Sequence, residues 1–541
     1  MNHHTLIQEI HMNRLSKRDF PCRARAWCVL IFGALIYAVL FALGSQIDQT
    51  GATQLRTTVL RLLCALPAAL AALLALFAFV LPACRFRAGS GKPLCTPLAA
   101  VLLFACYVPM FLIQYPGSFT YDIYPQALQA AGGSFSTFHP LVHTLFLRLC
   151  LNTANWTGSF EKSAALCSLI QMTLVSGLFA ACCASIARSC SRRAGLLALT
   201  FFALHPAHMA FASTYTKDVL FSATFALLLC LCVEEMRTGH LKRRHRASQI
   251  VCGVLACLLR NNMIYALCAW LLILILCGRR FGRLSVCVLL MIACALGSNH
   301  LLVTITHAEK GPVREMLSIP AQQFARVRVL APQSLTDDEI RRMDALFNQV
   351  SYDRYDPTIA DPIKDRIDSE AFARDPAGAA RLWLSIGAKQ PGIYLDAFLN
   401  TALPALYPYA EYRVTPRYIE IGECRAGLTQ FYGLEPIVQP RRFEAIRQWL
   451  NREIYDTGAD HHPILRWLFN SGFIFWLLLA HLLYALYSRD SGTAIMMMLP
   501  VMLWGTFLLG PVMQGRYAYP FLCVLPLFLL RPRGNTRNTV I

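Results

Sequence analysis

The chain has 541 residues, of which 56% are hydrophobic and only 15% are charged. Soluble globular domains carry about 25% charged residues, so this composition excludes an ordinary water-soluble protein. The net charge of +19 comes from 50 Lys and Arg residues against 31 Asp and Glu residues.

The distribution of this charge argues against a nucleic-acid-binding protein. Residues 306–465 hold 22 acidic and 19 basic residues and are slightly acidic, whereas the other basic residues concentrate in alternate loops between apolar runs. That alternation is typical of membrane proteins. Most of the 21 cysteines lie inside apolar runs, where Cys packs as a small hydrophobe. The chain therefore predicts neither a disulfide framework nor a cysteine metal site.

Apolar runs predict the membrane spans, because roughly 20 apolar residues cross a bilayer as a helix. They lie at residues 26–45, 57–83, 95–114, 164–187, 194–212, 217–236, 284–304, 466–487, 493–512 and 517–531. Two shorter runs within 247–278 flank Arg260 and form either a tight hairpin or a re-entrant segment. Counting these as two predicts an all-α integral membrane protein with about twelve transmembrane helices. Residues 139–152 are too short to cross and are expected at the interface.

The basic loops predict the orientation of the chain. Loops rich in Lys and Arg stay in the cytoplasm, and both termini carry such sequences. The remaining loops are then extracytoplasmic: 46–56, 115–162, 213–216, 260–262, 306–465 and 512–519. The first apolar run lacks a small-residue cleavage site after it, so it is predicted to remain as an anchor. Every unusual polar stretch then lies on the outer side, where we expect the chemistry.

Residues 306–465 are too long for a connecting loop and predict an extracytoplasmic, mainly helical domain. Its predicted helices lie within residues 334–350, 375–392 and 440–456. The chain thus divides into a transmembrane module with the outer loop 115–162 (1–305), this domain (306–465), and a module of three spans with a short basic tail (466–541). The domain has one cysteine, Cys424, and hence no internal disulfide. That fits a multi-pass protein of a bacterial plasma membrane.

Asp122 is the first candidate catalytic residue. It lies in a polar, aromatic stretch between apolar runs, directly after Tyr121, which we expect to contact substrate. A partly buried carboxylate can act as a general base toward a hydroxyl. The alternative is that Asp122 caps the helix that begins after it, and one residue can do both.

His139 and His143 lie four residues apart in the sequence HPLVH. On a helix they share one face, with Pro140 in the first turn and His139 as the cap. Such a pair suits a metal or a phosphate. Two histidines alone do not make a metal site and no HExxH motif is present, so a structural or substrate-binding role is favoured and no cofactor is predicted.

Lys217 and Asp218 begin an apolar run. Neighbouring residues on a helix do not face each other, so the two are not expected to form an ion pair. Lys217 is predicted to bind a phosphate, although a lysine at a helix end also extends its ammonium group to the membrane surface without further function. Asp218 is predicted to enter the same cavity as a second catalytic carboxylate.

Two arginines interrupt the apolar sequence at the outer face. Arg260 precedes Asn261, and Arg516 precedes Tyr517. An arginine in this position needs an anionic partner, and a guanidinium fits phosphate oxygens. All four residues are predicted to bind substrate. The alternatives are a hairpin tip with Asn as the turn residue and ordinary interfacial anchoring by Tyr517.

At these residues the chain resembles the GT-C-type glycosyltransferases, which are polytopic enzymes that use polyprenyl-phosphate sugars. It looks most like bacterial membrane proteins distantly similar to protein O-mannosyltransferases and aminoarabinose transferases. The resemblance rests on Asp122 with HP after it at 139–140, TKD at 216–218, RNN at 260–262, LSIPAQQFARV at 317–327, YDPTIADPIK at 355–364 and GRYAYP at 515–520.

The resemblance implies a function. The resemblance implies that Asp122 corresponds to the base that activates the acceptor in this class. It implies that Lys217, Arg260 and Arg516 correspond to the cations that bind the donor phosphate. The implied partners are a polyprenyl-phosphate-sugar donor, the lipid bilayer, and a cell-envelope glycan, lipid or protein acceptor. The chain departs from the class because Ile123 replaces a second acid after Asp122 and because no DxD or WWD motif is present. A divalent cation therefore has no supporting ligand motif.

Two other functions remain open. One is a transporter or flippase of a lipid-linked or anionic substrate, although transporters bind near mid-membrane and often contain repeats, whereas here the polar groups cluster at outer ends. The other is a non-catalytic membrane scaffold whose outer domain binds the cell wall. Loss of sugar transfer in Asp122→Asn, with normal folding, would distinguish the enzyme from both.

Overall fold

The computed structural model describes residues 3–86, 94–120, 122–348, 352–410, 440–450, 452 and 465–532. Within these residues the regular structure is helical, apart from four strands of two residues each. The predicted all-α class is therefore confirmed.

The helices are connected mostly by short loops. Those before the predicted outer domain are α1 (His3–Thr50), α2 (Leu55–Ala75), α3 (Leu81–Ala83), α4 (Thr96–Ile113), α5 (Ile123–Gly132), α6 (Leu141–Leu151), α7 (Ala154–Thr157), α8 (Phe160–Ser189), α9 (Arg192–Leu204), α10 (Pro206–Ala212), α11 (Lys217–Thr238), α12 (Arg243–Leu259), α13 (Asn262–Leu276) and α14 (Gly282–Thr306). The later ones are α15 (Ser318–Leu330), α16 (Asp337–Asp344), α17 (Asp361–Lys364), α18 (Ser369–Arg374), α19 (Pro376–Lys389), α20 (Pro391–Leu406), α21 (Glu444–Leu450), α22 (Leu465–Phe469), α23 (Ser471–Tyr487), α24 (Ser491–Phe507) and α25 (Gly515–Leu529). The strands are β1 (Arg85–Phe86), β2 (Ser118–Phe119), β3 (Thr214–Tyr215) and β4 (Arg531–Pro532).

Long apolar helices make this a membrane protein. Among the described residues, six stretches are long and apolar enough to cross a bilayer: Ala24–Thr50, Leu55–Ala83, Thr96–Ile113, Phe160–Ser189, Lys217–Thr238 and Arg279–Thr306. The pair α9 and α10, bent by 62°, would be a seventh. The four apolar helices α13, α23, α24 and α25 are shorter, at 15–17 residues. Every predicted apolar run thus contains a helix, while the count of about twelve crossings stays a prediction.

Helix α11 lies at the centre of the bundle. In the most apolar part of α11, 89% of the residues are buried, whereas in the most apolar part of the stretch Leu55–Ala83 only 11% are buried. A helix that is apolar on all sides is expected to be surrounded by other helices. The first residues of α11 are Lys217 and Asp218, so both charges enter the middle of the bundle at one end.

Helices α12 and α13 form an antiparallel pair. Arg246 contacts Cys287, and a Cβ on Gly253 would meet Met291, so α12 and α14 run in the same direction. Because α13 connects the end of α12 to the start of α14, it must run in the opposite direction. This geometry places Arg260 at the tip of the pair, and because the arms of a re-entrant segment are antiparallel too, both alternatives for residues 247–278 stay predictions.

The described part of the predicted outer domain is helical, as expected. Thr336 and Glu339 form a capping box at the start of α16, and Asp375 caps α19. These caps satisfy backbone N–H groups that helices leave free at their first turn. The predicted third helix corresponds to α21, which begins four residues after Pro440; residues 451 and 453–456 of that prediction lie outside the described residues, as does most of the Tyr-rich stretch 407–432.

The described part of residues 306–465 packs on the loop after α1. The Asp396 carboxylate accepts hydrogen bonds from the backbone N–H and the hydroxyl of Thr53 at 3.0 and 2.7 Å. The carbonyl oxygen of Gly51 accepts from Asn400 at 2.8 Å and from the Arg326 guanidinium. The backbone N–H of Ala360 also donates to the Pro511 carbonyl, just before α25. The segment is thereby held close to the end of the bundle where α25 begins.

Candidate functional site

Five charged side chains from four separate parts of the chain meet at one end of the bundle. We call them the ionic cluster: Asp122, Lys217, Asp218, Arg260 and Arg516. The sequence interpretation named each of them separately, and the structure brings all five together. With two carboxylates and three cations, the cluster carries a formal charge of +1.

Asp122 lies at the N-cap position of α5, but its side chain makes no capping hydrogen bond. One carboxylate oxygen lies 2.5 Å from Nζ of Lys217, and the other lies 3.2 Å from Nη2 of Arg516. Burial raises the pKa of Asp122, but the charges of Arg516 and Lys217 outweigh that effect and hold the pKa well below its usual range. The alternative of a capping carboxylate is therefore wrong, and the side chain, 23% exposed, binds cations instead.

Asp218 is the deeper carboxylate, with only 1% of its side chain exposed. One oxygen accepts a hydrogen bond from Arg260, and the other lies 3.8 Å from Nε of Arg516. The hydroxyl of Thr216 donates to the latter oxygen at 3.1 Å and also caps α11. Lys217 and Asp218 thus take different partners, as predicted from their adjacent positions on a helix.

Arg260 is held by aromatic rings as well as by Asp218. Its guanidinium carbon lies 4.2 Å from the ring centroid of Phe507 and 4.6 Å from that of Tyr517. Cations attract the faces of aromatic rings, and this attraction strengthens where water is excluded. The Tyr517 hydroxyl in turn lies 3.4 Å from Nη2 of Arg516. The arginine at the hairpin tip is therefore fixed in position, whereas a simple turn would leave it free.

A short parallel strand pair positions the two carboxylates. In β2 and β3, Ser118 lies opposite Thr214. Asp122 follows Ser118 by four positions, and Asp218 follows Thr214 by four positions. The pairing of the strands therefore sets the placement of the two aspartates relative to each other. Neither strand is long enough to be stable alone, and both depend on side chains of α8.

The support for this strand pair is polar and buried. Gln171 of α8 donates to the carbonyl of Thr214 at 2.8 Å, and Ser168 donates to the carbonyl of Pro116 at 2.7 Å. Gly117 has φ +136°, and a Cβ there would lie 2.9 Å from the Tyr215 hydroxyl. Only glycine adopts this backbone conformation without strain, so the strand pair requires it.

His139 and His143 lie behind Asp122. Helix α6 begins at Leu141 with Pro140 as its N-cap, so the prediction that His139 caps the helix is wrong by one residue. Burial, aided by the charge of Lys217, lowers the pKa of His139 to about 4 and that of His143 to about 3. Both imidazoles are therefore neutral at neutral pH.

Gln126 connects His143 to the loop of Asp122. Nδ1 of His143 lies 2.6 Å from the side-chain oxygen of Gln126, whose amide nitrogen donates to the Asp122 carbonyl at 3.1 Å. Since the Gln126 oxygen only accepts, Nδ1 carries the imidazole proton. The Nε2 atoms of His139 and His143 are buried without a hydrogen-bond partner in the described part of the chain.

Two predicted substrate contacts are not among the residues of the cluster. Asn261 is exposed at the hairpin tip, and Tyr121 lies outside the described residues. Three contributors were missed by the sequence interpretation: Thr216, Gln126 and Phe507. Thr216 precedes an apolar helical run and so carried a capping signal, whereas Gln126 and Phe507 had no local signal.

The chemistry of the cluster favours an anionic ligand. In the ranges that the structure describes, no group of three or more His, Cys, Asp or Glu side chains could hold a metal ion. Each carboxylate faces cations, and the arginines are fixed by rings or by acids. An anion that enters here would compete with Asp122 for Lys217 and Arg516. The site can therefore exchange an internal carboxylate for an external phosphate as the partner of its cations.

A cavity of about 440 Å³ lies where the end of α1 and the loop after it meet α15 and α20. Asp48, Arg326, Asn400 and Met513 contribute to its lining. Arg516 follows Met513 by three residues in the sequence, although none of the five charged residues of the ionic cluster lines this cavity. A larger, apolar cavity of about 710 Å³ lies elsewhere, between α1, α2 and α23. It is lined by none of the five charged residues of the cluster.

Comparison with known proteins gives a family but no function. No curated protein and no solved structure matches the chain. A model described as a family of unknown function (DUF6020) matches residues 46–540, which include the whole ionic cluster. The match covers more than half of the chain, and the chain therefore belongs to the DUF6020 family.

Proposed function

We propose that the protein is an integral membrane glycosyltransferase of the GT-C type. It moves a sugar from a polyprenyl-phosphate donor to an acceptor hydroxyl at the outer face of a bacterial plasma membrane. The observation that carries this proposal is the convergence of Asp122 and Asp218 with three cations from distant parts of the chain. Such a convergence is costly at a membrane surface unless it serves a ligand.

The donor phosphate would bind to the cations of the cluster. Lys217 and Arg516 are the cations that neutralise Asp122. A phosphate that draws them away would remove the interactions that hold the pKa of Asp122 low, so this carboxylate becomes more basic when donor is bound. The same contacts would stabilise negative charge on the leaving phosphate.

The reaction is a single displacement. The acceptor oxygen forms a bond to the anomeric carbon while its proton passes to Asp122. The bond between the anomeric carbon and the phosphate oxygen breaks, and its electron pair stays on the phosphate, which remains attached to the lipid. Attack opposite the leaving group inverts the anomeric carbon. Asp218 keeps Arg260 and Arg516 oriented throughout, and the acceptor enters from the 440 Å³ cavity next to Met513.

Charge distribution supports the proposed topology. Basic loops would keep both termini in the cytoplasm across about twelve spans, and the ionic cluster would face outward together with residues 306–465. A cell-envelope glycan, lipid or protein is then the acceptor, which is present on that side. The neutral His139 and His143 would contact the donor or acceptor without adding charge.

The test is accumulation of the donor in living cells. Cells that lack the protein should accumulate a polyprenyl-phosphate sugar, detected by mass spectrometry of lipid extracts. Wild-type protein and Glu309→Gln, which changes an exposed acid outside the cluster, should remove the accumulation. Asp122→Asn, expressed at the same level, should not. Full complementation by Asp122→Asn would refute the proposal and favour a transporter or scaffold.

A further inference from the structure

A second cluster of polar side chains lies at the opposite end of α11. Glu234 and Asp218 are separated by 16 positions on this helix, which corresponds to about 24 Å along its axis. Glu234 is 5% exposed. Its carboxylate accepts hydrogen bonds from Nε and Nη2 of Arg188, each at 2.7 Å, and from the Ser185 hydroxyl at 2.7 Å. This two-point contact fixes the Arg188 guanidinium.

A cavity of about 290 Å³ opens beside this fixed arginine, and we call it the distal cavity. Its lining residues are Thr96, Ala181, Ala184, Arg188, Leu227, Leu231, Arg244, His245 and Ser248. The lining is polar and basic on one side and apolar on the other. None of these lining residues is acidic, and Glu234, which holds Arg188, is not among them.

The polar side of the distal cavity is suited to an anion. Arg244 is exposed, and no ion pair of its guanidinium occurs within the described residues. Thr96 is the first residue of α4, whose free backbone N–H groups and helix dipole favour negative charge there. His245 also lines the cavity, and its Nδ1 lies 3.7 Å from Oε1 of Glu234.

The apolar side indicates what kind of anion. Leu227 and Leu231 of α11 and Ala181 and Ala184 of α8 form a wall between two membrane helices. A soluble anion gains nothing from such a wall, whereas an acyl chain buries apolar surface against it. We propose that the distal cavity binds an anionic phospholipid, with the phosphate at Arg244 and an acyl chain along Leu227 and Leu231.

This site is independent of the proposed transferase. Residues 237–246 carry five Lys or Arg residues, and juxtamembrane basic segments are attracted to anionic lipid. The distal cavity adds to this general attraction a defined position for one phosphate. Because α11 also carries Lys217 and Asp218, a lipid bound at its other end would stabilise the helix that holds the ionic cluster.

The test uses the full chain purified in maltoside detergent. Dioleoylphosphatidylglycerol should raise the Tm and remain bound in native mass spectrometry, whereas dioleoylphosphatidylcholine should have a much smaller effect. Arg244→Gln should weaken phosphatidylglycerol binding about fivefold, as expected for one charge near a phosphate. Its side chain is exposed, so folding should persist. Arg283→Gln, an exposed arginine at the start of α14, is the matched control and should bind as wild type does.

Three results would overturn the proposal. Equal stabilisation by phosphatidylcholine would remove the role of the headgroup. Equal stabilisation by glycerol 3-phosphate would show that the ligand is a soluble anion and that the apolar wall is not used. Equal weakening by Arg244→Gln and Arg283→Gln would reduce the effect to general surface charge. Each can occur whether or not Asp122→Asn abolishes sugar transfer.

Discussion

Asp122 directly precedes α5 and Asp218 lies in the first turn of α11, yet both carboxylates contact the guanidinium of Arg516. The distances are 3.2 Å from Asp122 to Nη2 and 3.8 Å from Asp218 to Nε. Arg516 therefore joins the Asp122–Lys217 pair and the Asp218–Arg260 pair into one network. Two carboxylates this close would raise each other's pKa without a shared cation, so the ionised state of the cluster depends on this arginine.

Replacing Arg516 should be strongly destabilising. Its side chain is 6% exposed, and removing one partner of a buried ion pair costs about 3–5 kcal/mol because the other charge is left without compensation. Arg516→Gln should therefore lower the Tm of the detergent-purified protein, whereas Arg279→Gln, at an exposed position, should not. The double variant Arg516→Gln, Asp122→Asn should regain part of the loss. If the double variant loses the sum of the two single effects, Asp122 and Arg516 are not coupled.

His139 should make the protein less stable as the pH falls below neutrality. Its folded pKa is about 4 against a usual 6.5, so between these values the unfolded state binds more protons than the folded state. Stability therefore rises with pH across this window, by up to about 1.4 kcal/mol per pH unit for one group. His139→Gln should reduce the slope of Tm against pH between 6.5 and 4. His240→Gln, at an exposed position, should leave the slope unchanged. An equal reduction of the slope in His240→Gln would contradict the assignment of the pH dependence to His139.

The helices were predictable because each apolar run carries its own signal. A span must satisfy all its backbone hydrogen bonds within the helix and present apolar side chains to lipid, so α4, α8, α11 and α14 can be recognised from local composition. The identities of the charged residues were predictable for the same reason, since an Asp or Arg in an apolar context is rare.

The contacts between these residues were not predictable. Local sequence placed Asp122 before a helix and so left a cap open as an alternative to catalysis, but its partners Lys217 and Arg516 come from other helices. What brings them together is the pairing of β2 with β3, two strands too short to leave an alternating pattern. The dipeptide Pro116-Gly117 is the one local signal in this region, since Pro-Gly marks a turn.

Gly117→Ala should disrupt the cluster from a distance. The residue has φ +136°, and its added Cβ would lie 2.9 Å from both the Ser213 carbonyl and the Tyr215 hydroxyl. Strain of this kind costs about 1–3 kcal/mol, and relief requires β2 to move away from β3. We expect a lower Tm together with loss of the complementation described for Asp122. Gly177 lies in α8, and an added Cβ there has no atom within 4 Å. Gly177→Ala should therefore keep both the Tm and the complementation of wild type. Full complementation by Gly117→Ala would mean that the strand pair does not position Asp122.

Arg260 should tolerate lysine poorly, although lysine keeps the charge. The guanidinium lies 4.2 and 4.6 Å from the ring centroids of Phe507 and Tyr517, and an ammonium group has no planar face to stack on them. Arg260→Lys should therefore cost about 1–2 kcal/mol. Arg260→Gln should cost more, since Asp218 then has only Arg516, at 3.8 Å, as a cationic partner among the described residues.

The Tm of the purified protein should fall in the order wild type, Arg260→Lys, Arg260→Gln. Asn261→Ala, which changes the exposed neighbour of Arg260, should have a Tm close to that of wild type. Equal Tm values for Arg260→Lys and wild type would show that the rings contribute nothing beyond the charge. In the double variant Arg260→Gln, Asp218→Asn, a Tm above that of Arg260→Gln would identify the uncompensated carboxylate as the cause of the larger loss.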